Sequence, residues 1–488
     1  MVPSASYRAR YVRNLPNMII PLAKLYNAVT ERCHFIHNNS IQYFATSAWP
    51  SEDAISSECG EDQLFLALYN ELTHRHLHSV SRIQLRDRLN GWRVYTDLFD
   101  RLIAEPDKKT LCINSVWAFD IMHEFVYQFQ GFCQFRTNEK KKEDDLALLK
   151  ANKDAWAVEK VMYYLSKLIE ISSSADENVG SAYKNLGVFA VVALSRLECL
   201  LADYTECLSA LSTLHSQGTM EVVDSVLPAK ISLVYHVAVA YLMLRRYKDA
   251  ANTLEEICIE LQRGLKTGQL RSHLAGADQS QFFKQLDRML ALLAILTHIC
   301  PAGVAIENAS RDSIGYMIRD KFGSQLLKIE GGEEGYEDLF AYACPKFIDP
   351  AVPDYSKPLP SSLNQETYNI QIRHFMNEMA QQQSLRKLRS YMKLYSSIGT
   401  EKLAAFNDCA SSSEFSSRLL SLKHKMSQKE GADDEFASAL DIHYYVVGDT
   451  VHIDEYRQQR RFESAFLGQI SQCEDIAKEL EAVVIKSK

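Results

Sequence analysis

Between residues 440 and 453 the spacing of apolar residues changes from helical to alternating, which constrains the fold more than any other feature of the chain. Ile442, Tyr444 and Val446 alternate with Asp441, His443 and Tyr445, and Val451 and Ile453 alternate with Thr450 and His452. Successive side chains of a strand point to opposite faces, so each run reads as a half-buried strand. The two-residue link Gly448-Asp449 suits a type II′ hairpin, because Gly accepts the positive φ of the first turn position. Three helical signals precede it. Leu385, Leu388, Tyr391, Tyr395 and Ile398 line one helical face. Thr400 is expected to cap a short helix that turns Leu403 and Phe406 inward. Ser411-Ser412-Ser413-Glu414 has the pattern of a capping box, and Phe415, Leu419, Leu422 and Met426 follow at helical spacing. Three helices and a β-hairpin make a winged helix, expected over 384–456.

Upstream, an internal repeat is visible. Leu200-Leu201-Ala202-Asp203-Tyr204 ends one helix and opens the next, and 43 residues later Met243-Leu244-Arg245-Arg246-Tyr247 does the same. Long apolar helices precede both, and small residues such as Ala238, Ala240, Ala250 and Ala251 permit close helix contact. Such hairpins cannot bury their apolar faces alone and stack on one another. A third unit is expected at 281–299. Five of the twelve prolines then fall between Pro345 and Pro360. Proline lacks a donor and disfavours helix at the residue before it, so 345–360 reads as an extended surface strap. Helix resumes at 364–383.

The expected fold is mainly α: a tetratricopeptide-like helical repeat superhelix, then a winged-helix module with a small β-hairpin wing, then a long C-terminal helix. The boundaries are 1–178 for an N-terminal helical region, 179–383 for the irregular repeats with the strap, 384–456 for the winged helix, and 457–488 for the last helix. The N-terminal region carries amphipathic segments at 15–44 and 63–78. At 115–136, Trp117, Ile121, Phe125, Phe129 and Phe132 form an aromatic stripe, read as core packing.

Composition excludes several functions. The net charge is −8 and the pI about 6.0, so no global basic field draws in nucleic acid. Eleven cysteines are scattered without a C-x-x-C pair, as buried thiols of a reducing compartment are. No secretory leader or membrane-length apolar run is present, so a cytoplasmic protein is expected. No phosphate loop, dinucleotide turn, nucleophile elbow or zinc-protease helix occurs, and no enzyme or cofactor is expected. His74 and His78 share a helical face, but His76 points away, and two converging ligands make no metal site.

Two surfaces stand out for binding. The hairpin's second strand is expected to leave an open edge, making Tyr445, Val447, Val451 and Ile453 candidate interface residues. In the last helix Phe466, Ile470, Cys473, Ala477, Leu480 and Val484 keep a heptad spacing suited to pairing with another helix. Arg418, Lys423 and Lys425 on the third helix are candidate RNA contacts, against a solvated rim.

Helical repeats leading into a winged helix and a terminal helix resemble the layout of PCI-domain proteins. These are subunits of the proteasome lid, the COP9 signalosome and eukaryotic translation initiation factor 3. The run Asp120-Ile121-Met122-His123-Glu124-Phe125 and its continuation to Gln130 is similar to the initiation-factor members. So are the runs at 240–250 and 336–347, Val352-Pro353-Asp354-Tyr355, Lys423-His424-Lys425-Met426 and Trp49-Pro50. The resemblance implies a non-catalytic scaffold subunit of a complex that binds the small ribosomal subunit and promotes mRNA recruitment. It further implies edge-to-edge pairing of winged-helix strands, bundling of C-terminal helices, and subunits K and E as neighbours. A PCI subunit of the lid or signalosome and an independent winged-helix nucleic-acid binder are the alternatives.

Overall fold

The computed structural model describes residues 56, 63–80, 83–104, 111, 113–173, 181–214, 219–268, 270, 278–299, 314–332, 334–357, 359–360, 362–409, 411–430, 435–438, 440, 442–455, 469–470, 473 and 476. The segment expected over 15–44 lies outside them. The chain divides into two compact units, Met1–Ala380 with Lys429–Glu435, and Gln381–Gln428 with Phe436–Lys488.

The first unit is helical. Its N-terminal layer contains α1 (Gln63–Val80), α2 (Leu85–Ala104) and α3 (Ser115–Thr137). Asn114 caps α3 by accepting the Trp117 N–H at 2.7 Å. The aromatic stripe of α3 is buried along its whole length. Phe125 lies at its centre, with ring centroids of Tyr95, Phe99 and Trp156 at 5.3, 4.8 and 5.5 Å. Glu143, Asp144 and Asp145 open α4 (Glu143–Ala151), where acids complement the positive helix end, and α5 (Val158–Ser173) follows.

The repeat is built from α6 (Ser181–Leu200), α7 (Tyr204–Ser209), α8 (Thr219–Asp224), α9 (Leu227–Met243) and α10 (Tyr247–Thr267). It recurs atom by atom at its two turns. Ala202 and Arg245 both take positive φ, 65° and 62°. The Asp203 N–H bonds Glu198 O at 2.9 Å, and the Arg246 N–H bonds Tyr241 O at 2.8 Å. A left-handed residue followed by a six-to-one bond is the Schellman termination, which satisfies carbonyls that a helix end leaves bare. Tyr204 and Tyr247 then open the next helices and are buried.

Next come α11 (Asp278–Ile299), α12 (Ile314–Gly331) and α13 (Glu334–Ala343), then a strap over 344–360, then α14 (Glu366–Met392). The two repeat tyrosines both donate to α14: Tyr204 to Gln371 Oε1 at 2.7 Å, Tyr247 to Glu378 Oε1 at 3.3 Å. These acceptors are seven residues apart, about 10.5 Å along a helix. Two turns of α14 thus carry the partners of the tyrosines of successive repeats.

The strap is fastened more firmly than a surface strap. Cys344, Phe347, Ile348 and Tyr355 are buried. Gln130 Nε2 donates to Lys346 O at 2.8 Å, Arg136 to Pro350 O, and the Ile348 N–H to Leu200 O at 3.0 Å. Helices α3 and α6 thus bind it through side chain and backbone together.

The second unit contains the end of α14, β1 (Ser397–Gly399), α15 (Thr400–Phe406), α16 (Ser412–Lys425), β4 (Ile442–Val447) and β5 (Thr450–Glu455), while β2 (Ser427–Glu430) and β3 (Glu435–Ser438) each include residues of the 429–435 segment grouped with the first. β2 pairs with β3; the other three strands form a sheet of order β1-β5-β4. The expected fold class, helical repeats followed by a winged helix, is what the chain adopts. Two local expectations change. The helix that carries Leu385 and Leu388 ends at Met392, and Ile398 sits in β1 opposite Val451. Thr400 lies inside α15 and Gly399 is the cap position, without a side-chain hydrogen bond.

Candidate assembly interface

The face of interest is set by α16. Ser411 Oγ accepts the Glu414 N–H at 3.1 Å, completing the first half of the expected capping box. The Glu414 carboxylate also pairs forward with Arg418 at 3.0 Å. Phe415, Leu419, Leu422 and Met426 are buried. Tyr444 Oη donates to Leu419 O at 2.5 Å and ties β4 to this helix, with burial pushing its phenol well up.

The hairpin register pairs Val447 with Thr450 and Ile442 with Glu455, as the Gly-Asp link requires. Gly448 has φ 59° and Asp449 does not share the positive sign, in keeping with a II′ turn. The open edge, however, is on the other strand. β5 is central: β1 covers the side expected to be free. Val451 is 0% exposed and Ile453 is buried, so these two candidates are core residues and present no edge. The strand that covers them is three residues long, too short to leave a period in the sequence.

β4 is the exposed edge. Ile453 N–H bonds Ser396 O, and Asp449 O takes the Thr400 N–H, so odd positions of β5 turn toward β1. Even positions therefore serve Val447, Tyr445 and His443 of β4. It follows that the N–H and C=O groups of Ile442, Tyr444 and Val446 point outward, with no strand beyond them among the described residues. Tyr445 and Val447 are 53% and 59% exposed, as their candidacy needs. Val446, which alternation assigns to the inner face, is 49% exposed, because the strand runs past the core at its tip. Neither Pro nor Lys guards the strand.

The other candidates divide. Arg418 is committed to Glu414 and to Asn407 O, both at 3.0 Å, whereas Lys423 is exposed and Lys425 half-buried. On the last helix Ile470 and Cys473 are helical and exposed. Phe466, Ala477, Leu480 and Val484 lie outside the described residues.

Elsewhere the buried polar groups tie helices together. Glu71 is fully buried between Arg75 (3.2 Å) and the Trp117 indole N–H (3.2 Å), and burial raises its carboxyl. Arg75 also pairs with Asp120 at 2.8 Å. The His74 and His78 rings lie 4.6 Å apart, and no group of three metal-ligating side chains occurs among the described residues. Cys258 is buried and its thiol is pushed up to about 12, which makes it inert. No described helix is long and apolar enough to cross a membrane.

Comparison with known proteins adds a name to this architecture. A family described as RNA polymerase I-associated factor PAF67 matches residues 87–473. The chain is similar to "Eukaryotic translation initiation factor 3 subunit L" of Nematostella vectensis, 32% identical over 468 residues, covering 91% of this chain and 86% of that one. The same-named protein of Xenopus tropicalis is 33% identical over 467 residues (90% and 81% covered), and that of Homo sapiens 32% over 467 residues (90% and 80%). A match at about a third identity over nine-tenths of the chain is decisive, and so the chain belongs to the family of eukaryotic translation initiation factor 3 subunit L.

Proposed function

We propose that this chain is a non-catalytic scaffold subunit of initiation factor 3 that joins its complex through the outer edge of β4 and the heptad seam of the last helix. The observation that carries this reading is an edge strand whose tip exposes Tyr445, Val446 and Val447 and whose outward N–H and C=O groups have no strand beside them. Such an edge invites pairing with another chain. Ile470 and Cys473, exposed on helical backbone, agree with a seam awaiting a partner helix. Subunits K and E are the proposed neighbours. Support of small-ribosomal-subunit binding and mRNA recruitment follows from membership of the complex, in the cytoplasm. Lys423 and Lys425 remain the candidates for a peripheral RNA contact at the end of α16.

Proline at Val446 provides the test. Its N–H faces outward, so Val446→Pro deletes an edge donor without breaking a β4–β5 bond. The tagged variant should keep its melting temperature and be depleted from complexes read by native mass spectrometry. Leu480→Asp, which places a charge on the seam, should act in the same direction. Wild-type incorporation of both variants would refute assembly by this route.

A further inference from the structure

The winged helix carries a second surface that assembly through β4 does not use. Tyr391 at the end of α14, Tyr395 in the following loop and Phe406 at the end of α15 bring three half-buried rings together. Phe406 lies 5.4 Å from Tyr391 and 6.4 Å from Tyr395, at interplanar angles of 28° and 24°. Neither tyrosine hydroxyl has a hydrogen-bond partner among the described residues. The exposed Lys402 sets its ammonium 5.8 Å from the Tyr395 ring and 5.9 Å from the Phe406 ring. It makes no ion pair among the described residues. Leu394, beside the rings, is largely exposed.

The segment that carries these rings is opposite in charge to the whole chain. Residues 381–428 hold eight lysines and arginines against three acids, in a chain of net charge −8. Near-parallel aromatic faces beside an exposed cation in a locally basic segment are the parts of a single-strand platform: bases stack on rings while phosphates meet ammonium groups. Duplex does not fit, because its bases are already stacked on one another.

We propose that Tyr391, Phe406, Tyr395 and Lys402 form a binding platform for single-stranded RNA. It is independent of the β4 edge and goes beyond the scaffold reading. Binding of a labelled oligouridylate to the full chain, followed by fluorescence anisotropy across a salt titration, tests it. Tyr395→Leu keeps an apolar side chain and removes the π face, and should weaken binding roughly fivefold or more. Lys402→Ala, at an exposed position, should lower the slope of log affinity against log salt by about 0.7, the loss of one single-strand phosphate contact. A duplex of the same length should bind more weakly than the single strand.

Failure to bind the oligonucleotide would overturn the proposal. So would an unchanged salt slope in Lys402→Ala, or a slope that falls only in Lys423→Ala, which would move the contact to the end of α16. If the chain ignores the oligonucleotide and Lys402→Glu drops out of the assembled complex, the surface serves a protein and the RNA assignment is wrong. Val446→Pro should leave the affinity unchanged, so this result and the assembly result separate.

Discussion

Glu124, on α3, shows how a single half-buried carboxyl gives this molecule a pH dependence. Gln128 Nε2 donates to it at 3.0 Å, yet burial dominates and raises its carboxyl from 4.5 to about 7. Between those values the folded chain holds a proton that the unfolded chain releases. Stability therefore falls as pH rises from 4.5 toward 7, on the order of 2–3 kcal/mol from this group alone. Glu124→Gln keeps the shape and removes the titration. Urea unfolding of the variant should show a flatter profile over that window and greater stability than wild type near pH 8. A profile unchanged by the substitution would assign the dependence to another group, with Glu71 the first to consider, since burial raises it too. None of this is legible in the sequence. Periodicity places residue 124 on a helix; only the approach of other helices, which bring Arg75, Tyr95 and Arg196 near it, decides that its carboxyl leaves water.

Elements were readable where a period repeats and opaque where a single backbone state decides. The α3 stripe, the α16 face and the hairpin register all follow from spacing, and all are in place. β1 is invisible because Ser397-Ile398-Gly399 contains one inward residue and no alternation to detect. That blind spot moved the open edge from β5 to β4 and turned Val451 and Ile453 from surface into core. The two repeat turns are a subtler case. Their interval shows in the sequence, but their left-handed residues are Ala202 and Arg245, where glycine is the usual signal. Left-handed backbone costs an L-residue about 1–2 kcal/mol, partly offset by the freedom glycine loses on folding. Ala202→Gly and Arg245→Gly should each therefore stabilise the chain by about 0.5–1 kcal/mol in denaturant titrations. Ala193→Gly, inside α6, should destabilise it by roughly 1 kcal/mol. Destabilisation by all three would mean that the turns are not the strained points.

For the whole molecule the strap matters most, because it joins helices that stacked repeats alone would leave in nearest-neighbour contact. Arg136 is buried on Phe132, its guanidinium 5.7 Å from the ring centre, and reaches Pro350 O across 214 residues of sequence. Arg136→Met should cost about 1–3 kcal/mol, since it leaves the carbonyl of Pro350 without that donor. It should also speed tryptic cleavage after the exposed Lys346, read by limited proteolysis. Equal cleavage rates in variant and wild type would show that the strap is held by its apolar residues alone. The sequence disclosed the strap through its prolines, but not its fastening, because the partners are far apart along the chain. Distance along the chain is also time. A ribosome adding 5–20 residues each second needs roughly 10–40 s to pass from Arg136 to Pro350. Throughout that interval the nascent α3 carries a guanidinium whose acceptor does not yet exist, so the N-terminal helices cannot be completed in the order in which they are made. Early termination of synthesis would leave a fragment with that guanidinium and the faces for Phe347 and Ile348 uncovered, a form that chaperones and proteases can tell from the finished subunit.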